Sequence, residues 1–112
     1  MADVSQPILI LVRDLMFSTR IVEAARQAGA AFKVIRSNEK LAGEVGRVLI
    51  VDLNQEGATD AAGAWRAATG EKAIGFVSHI DTEAIDRAKR AGIDQILSRG
   101  QFTQLLPTLI KS

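Results

Sequence analysis

The stretch that most limits what this chain can become is Val48-Leu49-Ile50-Val51, an unbroken apolar run that stops at Asp52 and turns at Asn54. Apolar residues in succession, without alternation, suit a strand covered on both faces, as at the centre of a parallel sheet. Such sheets place ligands beyond the carboxyl ends of their strands, so Asp52 is a site candidate by position. The plainer alternative is an aspartate that caps the loop or helix behind it.

The same punctuation recurs along the chain. Ile8 to Val12 is a second buried run, ending at Arg13-Asp14. The spacing of Phe17, Ile21, Ala24 or Ala25, and Ala28 then predicts a helix from about Phe17, capped by Ser18 or Asp14 and closed by Gly29. Phe32 to Ile35 reads as an edge or near-edge strand with Lys33 in solvent, and Asn38 to Val45 as a weak helix broken by Gly43 and Gly46. The organising strand runs from Arg47 to Asp52. After it come a helix over Ala58 to Thr69, with Ala61, Trp65 and Ala68 on its packed face and Gly70 at its end, and a strand from Lys72 to Val77 finishing at Ser78-His79. Asp81 caps the next helix, Ile80 and Ile85 staple it, and it runs to Ala91 before Gly92. Asp94 to Leu97 is the fifth strand. Phe102, Leu105, Leu106, Leu109 and Ile110 line a terminal helix, where Pro107 is expected in or near the first turn.

Strands alternating with helices at this spacing predict an α/β domain, a doubly wound five-stranded parallel sheet in three layers with flavodoxin-like strand order. A chain of 112 residues makes one domain, here expected over 1–112 with a leader over 1–7. The balance of 14 basic and 13 acidic side chains gives neither a nucleic-acid stripe nor a membrane-binding patch. Zero cysteines and a lone histidine, His79, exclude disulfides, thiolate chemistry and histidine metal clusters. The amino terminus lacks the pattern of a secretory signal, which predicts a cytoplasmic protein.

Parallel strands would gather Arg13-Asp14, Asp52, Ser78-His79 and Arg99 on one rim. Close carboxylates repel unless a cation lies between them, and oxygen ligands suit Mg²⁺, while a hydroxyl and a long cation complete a pocket for a tetrahedral anion. His79 and Trp65 have plainer roles as a rim side chain and as helix packing, and Glu56 as a solvated loop acid.

With those residues in view, the sequence resembles the receiver domains of two-component response regulators, the CheY-like fold. Asp52-Leu53-Asn54 is similar to the phosphoacceptor and the residue two further on, Arg13-Asp14 lies where the family has its acidic pair, Ser78 matches its hydroxyl switch, and Arg99-Gly100 stands in place of Lys-Pro. The resemblance implies a signalling module, not an enzyme. Asp52 would accept a phosphoryl group, Asp14, Asp52 and the Asn54 carbonyl would hold Mg²⁺, and Ser78 and Arg99 would bind the phosphoryl oxygens. The partner would be a histidine kinase or another protein, including a second copy of the chain.

Arg13 replaces one acid of the pair and Arg99 the lysine, changes that point toward a degenerate receiver acting through protein contacts. In that reading Arg13 or Arg99 holds Asp52 in an ion pair. The alternative class is a small nucleotide- or metabolite-binding α/β domain. It lacks a glycine between Arg13 and Ser18 to admit a pyrophosphate.

Overall fold

In the computed structural model of the chain, which describes residues 6–78 and 81–111, strands and helices alternate from end to end. The strands are β1 (Ile8–Leu11), β2 (Phe32–Val34), β3 (Val48–Asp52), β4 (Lys72–Val77) and β5 (Gln95–Ser98). Between and after them lie α1 (Leu15–Gln27), α2 (Asn38–Leu41), α3 (Ala58–Thr69), α4 (Thr82–Ala91) and α5 (Arg99–Lys111). All pairings are parallel, in the order β2-β1-β3-β4-β5, so the organising strand β3 is central and β2 is an edge as expected.

The apolar runs serve two cores at once. Successive side chains of a strand point to opposite faces. Ile8, Ile10 and Ile50 join Phe17, Ile21, Phe102 and Leu106 on the α1–α5 side. Leu9, Leu11, Leu49 and Val51 join Leu41, Ala62, Trp65 and Ala88 on the other. On that side Gly63 lets α3 approach α4, since a Cβ there would stand 2.8 Å from the Ala91 carbonyl oxygen.

Several boundaries differ from the sequence reading for local reasons. Helix α1 starts at Leu15 because the Asp14 carboxylate accepts from the Phe17 N–H at 3.0 Å, whereas the Ser18 hydroxyl donates back to the Leu15 carbonyl. Helix α2 is a single turn of four residues, since Ala42 is already extended and Gly43 takes φ +83°. Ala68 is exposed, the packed face of α3 being Ala58, Ala62 and Trp65, with the Trp65 indole donating to the Glu44 carbonyl.

Pro107 lies inside α5, not in its first turn. Ser98 and Gln101 form a reciprocal capping box, Gln101 N–H to Ser98 Oγ at 3.1 Å and Ser98 N–H to Gln101 Oε1 at 3.0 Å, which starts the helix early. Leu105 turns outward at 40 % exposure. Residues 1–5 of the leader expected over 1–7, the Ile80 half of the staple and His79 lie outside the described residues. Among the described residues no helix is long and apolar enough to cross a membrane.

Candidate functional site

Strand β3 delivers Asp52 to the carboxyl rim, and β4 fixes how the chain leaves it. Gly75 pairs with Val51 across the sheet, and a Cβ at Gly75 would stand 2.6 Å from Leu53 Cγ. The absent side chain lets Leu53 bury itself against β4, with its N–H donating to the Phe76 carbonyl at 2.9 Å. The turn that follows closes on Asp52: the Asn54 N–H donates to Asp52 Oδ1 at 3.0 Å.

Asn54 then reaches across to β4. Its Oδ1 accepts from the Ser78 N–H at 2.6 Å and from the Ser78 hydroxyl at 2.8 Å, so the hydroxyl at the end of β4 is held by the β3 loop. Gln55 ties the same loop to its neighbours. Its side chain accepts from the Arg13 N–H at 3.1 Å and donates to Asn38 Oδ1 at 3.3 Å. Sequence reasoning gave Gln55 no role, because a loop glutamine carries no chemical signature until its neighbours are known.

On the other side of Asp52, Asp14 and Arg99 meet. Asp14 Oδ1 caps α1 and Oδ2 lies 3.4 Å from Arg99 Nη2. The Arg99 guanidinium sits over the aromatic cluster, its central carbon 4.5 Å from the Phe17 ring centroid and 5.9 Å from that of Phe76. Phe76 in turn packs on Phe17 at 4.7 Å and on Phe102 at 5.0 Å. Arg99 Nε is buried with no hydrogen-bond partner.

The surroundings shift the two carboxylates in opposite directions. Burial raises the pKa of Asp52, with the Asn54 N–H and Arg99 opposing and Asp14 adding to the rise. The Phe17 N–H lowers that of Asp14, with Arg99 assisting against desolvation. Arg99 therefore acts on both acids, in contact with one and at a distance from the other.

Arg13 is exposed and forms no ion pair among the described residues. The expectation that Arg13 or Arg99 ion-pairs directly with Asp52 is thereby corrected. The carboxylate that is paired is Asp14, because it caps α1 within reach of Arg99. Among the described residues no three acids or histidines converge in a group fit to hold a metal ion. Asp14 gives Oδ1 to the α1 cap and turns Oδ2 toward Arg99 at 3.4 Å.

No protein-family model and no curated protein matches the sequence. Solved structures do. A CheY-like response regulator receiver domain protein from Methanospirillum hungatei superposes with a TM-score of 0.81 at 17 % identity, over 95 % of this chain and 90 % of that one. A response regulator from Thermotoga maritima gives 0.77 at 13 % identity over 96 % and 95 %. An orphan response regulator of H. pylori gives 0.75 at 12 % identity over 98 % and 94 %.

The chain has the receiver-domain fold. In terms of that fold, Asp52 lies at the end of the central strand, Ser78 at the end of the next and Arg99 just past the last. The structure thus brings Asp14, Asp52, Asn54, Ser78 and Arg99 to one rim and leaves the Arg13 side chain outside their hydrogen bonds.

Proposed function

We propose that this chain is a receiver-like signalling domain that acts through protein contacts, with Arg99 supplying the charge balance that a divalent cation would otherwise provide. The observation that carries this reading is the commitment of Asp14, one oxygen to the α1 cap and the other facing Arg99. A guanidinium beside one acid and felt by the second relieves their repulsion without a metal. The Ser78 hydroxyl, engaged by Asn54, supports the same reading, since it must break that contact to meet a ligand on Asp52. Binding, not turnover, is the chemistry assigned, and the face formed by α4, β5 and α5 is the surface offered to a protein partner.

The deciding experiment is the intact mass of the chain after incubation with Mg²⁺ and a small-molecule phosphodonor, with Asp52→Asn as control. We expect no phosphoryl adduct on either protein. An adduct on the wild type that is absent from Asp52→Asn would overturn the proposal and make Asp52 a working phosphoacceptor.

A further inference from the structure

Beside the acidic rim, on the α1–α5 face, lies a cleft of about 550 Å³ whose lining includes Arg20, Arg99, Met16 and Phe17 but not Asp52. Its size falls within the range of small-molecule sites, roughly 300–1,000 Å³. Two guanidinium groups face it against a single carboxylate, Asp14. Both stack on one ring, with the Arg20 and Arg99 carbons 5.9 Å and 4.5 Å from the Phe17 centroid.

The protein's own acids leave part of this charge unused. Arg20 forms no ion pair among the described residues. Arg99 meets Asp14 only at 3.4 Å, longer than the roughly 2.7–2.9 Å of a strong charge-assisted bond. Its buried Nε has no partner. A second groove of about 480 Å³ continues along α1 and α5, sharing Met16, Arg20 and Thr103 and extending over Ala24, Leu106 and Pro107. Its acid, Glu23, already faces Arg26 at 3.7 Å. A basic head therefore opens onto an apolar shelf, and Met16 at its edge is 84 % exposed.

We propose that this cleft binds a small organic anion, a phosphate monoester or a carboxylate, with the charged end at Arg20 and Arg99 and the apolar body against Met16 and Phe17. The fork of each arginine fits either head group. The cleft does not include Asp52, so its test is read apart from the phosphodonor experiment.

The test is a ¹⁵N-resolved NMR titration of the full chain at constant ionic strength with phenyl phosphate, benzoate, phenol and inorganic phosphate. Phenyl phosphate or benzoate is expected to give saturable shifts centred on Met16, Arg20, Gly100 and Thr103, the tighter of the two identifying the head group. Inorganic phosphate should bind more weakly and phenol not at all. Arg20→Ala, at an exposed position, should raise Kd about tenfold, the effect of losing one charge-assisted contact. Arg99→Lys, which keeps the charge and removes the fork, should also weaken binding. Shifts that never saturate, equal shifts with phenol, or an unchanged Kd in Arg20→Ala would each overturn the assignment.

Discussion

Asp52 and Asn54 do different work within one turn. A carboxyl with its folded pKa raised above the ordinary 3.8 holds its proton more tightly folded than unfolded, so stability falls as pH climbs from 3.8 through the folded value. Asp52→Asn keeps an acceptor for the Asn54 N–H and removes that loss. It is expected to raise the urea midpoint at neutral pH and to change it little below the ordinary aspartate value; a lower midpoint at neutral pH would show that the charge itself stabilises the fold. Asn54→Ala frees both Ser78 donors. The expected cost is about 1 kcal/mol, and hydrogen exchange at the Ser78 amide should speed up selectively. The place of Asp52 on the rim was legible because a buried apolar run that stops at an acid marks the carboxyl end of a strand. Asn54's hold on Ser78 was not, because it joins two loops whose proximity depends on the sheet order.

Among the elements, β4 and α5 give the sharpest tests. Gly75→Ala forces a Cβ against Leu53 and should cost about 1–3 kcal/mol through overpacking, displacing the Asp52–Asn54 turn with it. The measurement is denaturant unfolding together with the chemical shift of the Asn54 amide. Pro107 sits inside α5, where its missing N–H would face the Thr103 carbonyl one turn back. Pro107→Ala should therefore stabilise by about 1 kcal/mol after the looser unfolded chain is counted, readable as a higher Tm. The strands and α3 were legible nearly to the residue, since continuous apolar runs and bounding glycines mark their ends. Helix α5 was misjudged at its start because a capping box written Ser98…Gln101 straddles the join with β5. Helix α2 was overextended because Gly43 ends it by backbone geometry in a segment of weak periodicity.

At the scale of the whole molecule, one charge pair ties α3 to the entry of β5: Asp94 binds Arg66 through both oxygens at 2.9 Å and also accepts from the Ala73 N–H. Arg66 holds the Asp94 pKa below its ordinary 3.8, so the stability this pair contributes is present above that value and lost as pH falls through the folded one. Asp94→Ala should lower the urea midpoint at neutral pH, and the gap from wild type should close in acid. If Arg99 replaces the cation, millimolar Mg²⁺ and EDTA should leave Tm unmoved, whereas a Tm that climbs with Mg²⁺ concentration would reveal a bound ion. The layered α/β architecture was readable from periodicity. The α1–α5 cleft was not, since it depends on Arg20 and Arg99, distant in sequence, converging on Phe17.

The sheet also divides the molecule optically. The chain has one tryptophan and no tyrosine, and Trp65 is buried on the α3 side with its indole tied to Glu44. The three stacked phenylalanines lie on the opposite side. Intrinsic fluorescence will therefore report the loosening of one layer and stay dark to events in the other. A folding or binding study that relies on it alone would see half the protein.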